Sequence, residues 1–225
     1  MNESIENVIF SWSGGKDSSM ALYEILNQKK YKVSALLTTV STQFDRISMH
    51  GVRSVLLERQ AESLGLPLEK VLVPSGSSNE EYEAGMRAVL ERYRAKGISK
   101  VVFGDIFLED LKKYREEKLA LLDMEAVFPL WKKDTTEIVS RCVNLGFRTI
   151  LTCVDTSVID GDFAGRVIDE QLISEFPNDA DICGENGEYH SFVYSGPIFK
   201  KDISFSVGEK VLRDNRFRFC DLIPD

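Results

Sequence analysis

NVIFSWSGGKDS, residues 7–18, decides the fold. Its first half is a short apolar run, and Ser13-Gly14-Gly15 breaks it. That pattern reads as a buried strand entering a tight turn. Met20, Leu22, Ile25 and Leu26 then recur at near-helical spacing, so a helix is expected over 18–27. Adjacent glycines let a backbone approach an anion closely and adopt positive φ. The N–H groups of such a turn, with the helix N-terminus behind them, form an anion cradle. Lys16 adds a compact positive charge, and Ser13 and Ser18 add hydroxyl donors. Asp17 is placed to cap the helix or to help hold Mg²⁺. The spacing matches neither the Gly-x-x-x-x-Gly-Lys-Ser/Thr loop nor the Gly-x-Gly-x-x-Gly fingerprint. An ordinary glycine turn accounts for Gly14, Gly15 and Ser18, but not for Lys16-Asp17 directly after a first buried strand.

Outward from this segment, strands are expected over 32–40, 68–73, 100–103 and 147–154. Helices are expected over 52–64, 79–96, 108–124 and 134–145. Strands alternating with helices argue for a parallel sheet covered on both faces. The strand at 147–154 is taken as the fifth of that sheet. After Asp155, glycines and prolines punctuate brief apolar runs, with short strands expected over 191–194, 203–207 and 216–219. The chain therefore reads as α/β in two parts. Residues 1–155 form an α/β domain on a parallel sheet, and 156–225 a smaller C-terminal α+β lobe.

Composition narrows the partners. With 36 acidic against 28 basic residues, the net charge is −8, so no broad basic face for nucleic acid is expected. Cys142, Cys153, Cys183 and Cys220 form no Cys-x-x-Cys pair, and only two histidines exist. Reduced thiols are expected rather than a structural zinc site. No apolar run approaches the ~20 residues that span a bilayer, and residues 1–10 do not read as a signal peptide. The expectation is a cytoplasmic protein without membrane partners. A homodimer is carried as an untested guess.

Ser13-Gly14-Gly15-Lys16-Asp17-Ser18 resembles the pyrophosphate loop of the ATP pyrophosphatases, in the adenine nucleotide α-hydrolase-like (HUP-like) superfamily. That resemblance implies a five-stranded doubly wound parallel sheet. It also implies use of ATP to adenylate an acceptor oxygen, releasing AMP and pyrophosphate. Further segments follow in order: Met49-His50, Gly104-Asp105, Tyr114-Arg115, Pro129-Leu130-Trp131, Gly165-Arg166 and Gly184-Glu185-Asn186-Gly187-Glu188-Tyr189. Together they resemble the diphthine–ammonia ligase family over nearly the whole chain. Asn186 stands where the family motif often has glycine, and Asn tolerates the left-handed region better than most residues. Asp105 stands where many members have a small residue, and Glu109-Asp110-Leu111 replaces the usual continuation.

The resemblance implies ATP, Mg²⁺ and ammonia as reactants. The acceptor carries a carboxylate and is either diphthine on elongation factor 2 or a small metabolite. Nucleotide-binding candidates are Ser11, Ser13, Gly14, Gly15, Lys16, Asp17, Ser18, Thr38, His50 and Gly104. Catalytic candidates are Lys16, Asp17, Asp105, Glu185 and Glu188, with Asp17 the metal ligand. Glu185 and Glu188 are suited to bind a cation or act as a base. Tyr114 and Arg115 read equally well as helix surface, Trp131 as packing, and Asp160, Asp162, Asp179 and Asp181 as loop charge. Rival readings are another amidating enzyme on the same fold, a tRNA-thiolation enzyme, which the missing Cys-x-x-Cys disfavours, and a non-catalytic nucleotide-binding module.

Overall fold

A computed structural model describes residues 5–43, 45–47, 51–74 and 77–225. Strand β1 (Glu6–Ser11) lies at the centre of a sheet, flanked by β2 (Tyr31–Ser41) and β5 (Lys100–Val102). Val8, Ile9 and Phe10 are all buried, without alternation, because both faces of a parallel strand are covered. Val8 and Phe10 pack with Met20 and Leu22 of α1 (Lys16–Gln28) and Leu56 of α2 (Ser54–Leu64). Ile9 packs on the opposite face with Leu90 of α3 (Asn79–Arg94) and Leu119 of α4 (Glu109–Ala120). β4 (Leu68–Val73) lies outside β2, and β6 (Glu125–Val127) outside β5, all parallel. The parallel order is therefore β4-β2-β1-β5-β6. A two-residue β3 (Arg46–Ile47) adds antiparallel to the end of β2.

The fifth parallel strand is thus β6, not the segment at 147–154. Three residues, Glu-Ala-Val, with Glu125 exposed, carry too little hydrophobic pattern to be read. The segment at 147–154 is a strand, β7 (Arg148–Asp155), but it pairs antiparallel with β8 (Tyr189–Ser195) and β10 (Phe217–Pro224). With β9 (Phe205–Arg213) these make a second sheet, in the order β8-β7-β10-β9. Along the chain α5 (Thr135–Asn144) connects β6 to β7, and a 3₁₀ turn at Gly161–Phe163 and α6 (Glu170–Glu175) lie between β7 and β8.

The two sheets share one hydrophobic cluster. It runs from Phe10 and Met20 through Ile138 and Val139 of α5 to Leu151 and Phe192. At about 1.5–3 kcal/mol for each large apolar side chain buried, this shared core fixes β8 against the first helix. The four cysteines are buried with free thiols. No described helix is long and apolar enough to cross a membrane.

Candidate active site

The chain leaves β1 at Trp12 and reverses at Gly14, where φ is 77°. A Cβ there would also sit 2.6 Å from Gln60 Oε1. Glycine is required both by the left-handed backbone and by that approach. Gln60 is fully buried on α2. Its Oε1 accepts from Trp12 Nε1 at 2.9 Å, and its Nε2 donates to the carbonyls of Gly14 (3.0 Å) and Val193 (2.6 Å). The Val193 N–H also donates to the Gly14 carbonyl at 2.9 Å, and the Lys16 N–H donates to Ser191 Oγ at 3.1 Å. The turn is held from outside, by α2 and by β8.

Gly15 is the N-cap of α1, with no side-chain capping bond. Asp17 therefore does not cap the helix, as the sequence had suggested. It lies in the first turn, and its carboxylate accepts from the Lys16 ammonium. Ser13 Oγ accepts from the Gly15 N–H and donates to Ser18 Oγ, which donates to the Gly15 carbonyl at 3.0 Å. Both hydroxyl protons are thus used within the turn. Lys16 is wholly buried. Burial alone would lower its pKa, but the adjacent Asp17 carboxylate, with Cys183 and Tyr189 adding to it, holds the ammonium well above its ordinary value. An ammonium that stays charged out of water suits an anion above it.

The loop forms one wall of a cavity of about 390 Å³. Ser11, Ser13, Gly15, Lys16, Asp17, Ser18, Thr38, Gly104, Asp105 and Glu185 all line it, so most of the predicted residues converge. Gly14 serves as the hinge behind the wall. A Cβ on Gly104 would come 3.0 Å from the Asp17 carbonyl carbon and the Ser18 nitrogen, so only glycine lets β5 end against the loop. Asp105 pairs with Arg115, whose guanidinium lies 4.3 Å over the Phe103 ring. His50 and Met49 lie outside the described residues.

Glu185 and Glu188 separate. Glu185 Oε1 accepts from the N–H groups of Ile106 (2.7 Å) and Phe107 (3.3 Å), which dock the turn after Cys183 onto the end of β5. The Glu185 N–H donates to Asp181 Oδ2 at 2.9 Å, so Asp181 anchors the turn rather than merely charging a surface loop. Burial raises Glu185 to about 7; the two backbone bonds oppose this, while the carboxylates of Asp17 and Asp105 add to it. Glu188 is not among the residues lining the cavity. It is buried, and its Oε1 accepts from the Asp181 N–H (3.0 Å) and Asn186 Nδ2 (3.1 Å). Glu188 Oε2 is buried without a hydrogen-bond partner among the described residues.

Sequence reasoning overlooked Gln60 and Ser191. Gln60 had a readable signal, since it sits three and four residues after Leu57 and Leu56 on the buried face of α2. Ser191 had none, because a serine in a strand looks like any other. Trp131 packs against Phe128, as expected of a packing residue.

A family model described as the diphthamide synthase N-terminal domain matches residues 6–120, and one for the C-terminal domain matches residues 134–221. The chain belongs to the diphthamide synthase family. A Danio rerio protein named diphthine--ammonia ligase is 25% identical over 230 residues, covering 90% of this chain and 88% of its own. The Homo sapiens protein of that name is 24% identical over 226 residues, with 89% and 83% covered. Within the diphthamide synthase family segments, the first carries the loop, Asp105 and Arg115, and the second carries Glu185 and Ser191. The cavity therefore lies where the two segments meet.

Proposed function

We propose that this chain is an ATP-dependent amide-forming ligase. It adenylates a substrate carboxylate and amidates it with ammonia, releasing AMP and pyrophosphate. The observation carrying this reading is a fully buried, charged Lys16 in a glycine turn at the N-terminus of α1. The same cavity has Glu185 at its edge. The names of the relatives support the ligase class.

The residues fit a polyphosphate. The Gly15 and Lys16 N–H groups are taken by Ser13 and Ser191, so the Asp17 and Ser18 N–H groups of the first turn of α1 are the donors offered to an anion, and Lys16 supplies the charge. Gly104 keeps the approach open. Thr38 and Ser11 line the cavity where the nucleoside would rest. For Mg²⁺ the donor set fits an ion brought in on the nucleotide rather than one held by the chain. Among the described residues no group of three or more His, Cys, Asp or Glu side chains could hold a metal, and Asp17 is engaged by Lys16. Such an ion would supply charge neutralisation on the phosphates, and Asp17 is the one carboxylate of the loop that could reach it, by sharing its oxygens with Lys16.

The substrate carboxylate attacks the α phosphorus, and the bond to pyrophosphate breaks. Ammonia then attacks the acyl carbon, and AMP leaves. Positioning and fixed charge supply most of the acceleration. Glu185 takes the proton released as nitrogen bonds to carbon. A half-buried carboxylate raised to about 7 is suited to that role. Asp105 holds Arg115 in place, and Glu188 shapes the turn. The acceptor is diphthine or a small metabolite, and the setting is the cytoplasm. The proposal also takes the second sheet, with the turn before β8, as the substrate-binding lobe.

The test is to incubate the chain with ATP, Mg²⁺, ammonium and a panel of carboxylate acceptors, reading nucleotide and phosphate products. AMP and pyrophosphate are expected. ADP and phosphate would refute the mechanism, and tight ATP binding without pyrophosphate would identify a binding module instead.

A further inference from the structure

A second cavity, about 330 Å³, lies between α3 and α4. It shares Tyr82, Met86, Phe103 and Arg115 with the first, so the two cavities adjoin at these four side chains. Its remaining wall is mainly apolar, with Leu90, Leu119 and Leu122. Across its rim Glu83 of α3 accepts from Tyr114 Oη (2.9 Å) and Lys118 Nζ (2.6 Å) of α4. Those bonds staple the helices over an apolar groove.

The charge at the junction is specific. Among the described residues lining the first cavity, Lys16 and Arg115 are the two lysine or arginine side chains. Lys16 is buried under the loop and committed to the phosphates. A second anion brought beside a polyphosphate needs a second cation, and Arg115 is the one at hand. One terminal nitrogen donates to Asp105 Oδ1 (3.1 Å), Nε forms an ion pair with Asp105 Oδ2 at 3.0 Å, and the guanidinium lies 4.3 Å from the centre of the Phe103 ring. A guanidinium has five N–H donors, so donors remain for a carboxylate.

We propose that the α3–α4 groove binds the acceptor. Its carboxylate is held by Arg115 at the junction, and its stem lies on Met86 and Leu90. The acceptor is then a carboxylate on an apolar stem, and Arg115 is the residue that selects it. This rests on the ligase reading for its chemistry, but the groove and its selectivity are tested separately.

The probe is hexanoate, with hexan-1-ol and hexylamine as controls. They are titrated into the full chain labelled with ¹³C at its methionine methyls, with a non-hydrolysable ATP analogue present. Hexanoate is expected to move the Met86 methyl while buried Met20 stays still, and both controls are expected to bind at least tenfold more weakly. Arg115→Ala is expected to weaken hexanoate at least tenfold, with partial recovery in Arg115→Lys. Ala84→Trp, from the exposed face of α3, fills the groove and is expected to block it with the Arg115–Asp105 pair intact. An unchanged Met20 signal reports that each variant is folded. The proposal is overturned if hexanoate leaves Met86 unmoved, if hexan-1-ol binds as well, or if blocking the groove with Ala84→Trp changes nothing. Binding of the ATP analogue is read separately on the Gly14 and Gly15 amides. Loss of that signal with the Met86 response retained sinks the ligase reading and leaves the groove standing.

Discussion

The loop at 13–18 and the turn at 181–188 line one cavity, yet they are held by opposite means. The loop is fixed from outside, by Gln60, Ser191 and Val193, and it presents a cation. The turn is held largely from within, by Asp181 and Glu188, and it presents an anion. A loop braced by its neighbours can bury a charged lysine because its geometry does not depend on that lysine. A turn built from carboxylates buries one of them, Glu188, behind the turn, while another, Glu185, lines the cavity with its Oε1 on the Ile106 and Phe107 N–H groups.

The largest effect is expected at the loop's cation. Lys16→Ala should lower pyrophosphate release by about 10²–10³, the scale of losing one well-placed group that stabilises transition-state charge. A loss under tenfold in a steady-state assay would dissolve the contrast. Next come the paired glutamates. Glu185→Gln should cut amide formation by about 10² while ATP–pyrophosphate exchange survives. Glu188→Ala should leave exchange and amidation largely intact but lower Tm, reflecting about 1–3 kcal/mol as the Asp181 N–H and the Asn186 amide lose their acceptor. Equal effects of the two on the amidation rate would erase the distinction between shape and chemistry.

Gln60→Ala tests the outside bracing. It strands the indole N–H and takes a donor from two carbonyls, of which that of Gly14 keeps the Val193 N–H, and about 2–3 kcal/mol of stability should go, read by denaturant titration. The smallest effect is the pH dependence of Glu185. Its folded pKa, about 7, exceeds its ordinary 4.5, so between these values the folded state binds more protons than the unfolded. Stability from this group therefore falls as pH rises from about 4.5 through 7. Glu185→Gln should flatten that slope in Tm measured across pH. At constant free ammonia, wild-type amidation should rise through an apparent pKa near 7, and the variant should lack that rise.

Much of this was legible because the signals were local. β1, the glycine turn and α1 depend on neighbours in the chain, and residues 7–18 carry the whole pattern. The meeting of Asp105 and Glu185 with that loop follows from strand ends and a family motif. What was illegible depended on distant partners. β7 reads as a buried strand, but whether it joins the parallel or the antiparallel sheet is decided by β8 and β10, far along the chain. β6 is too short to show a period. Ser191 acquires its meaning only when β8 brings its hydroxyl to the Lys16 N–H.

The bond from the Val193 N–H to the Gly14 carbonyl has a consequence for where the molecule opens. It ties the cavity floor to the second sheet, and α1 beneath the floor is anchored by seven buried residues. The roof is lighter: α3 buries Leu90 and Tyr93, and α4 buries Leu119 alone. Local opening is therefore expected to concentrate above the cavity while the floor stays still. Hydrogen exchange should show it, with the Val193 amide slow and the amides of α4 fast.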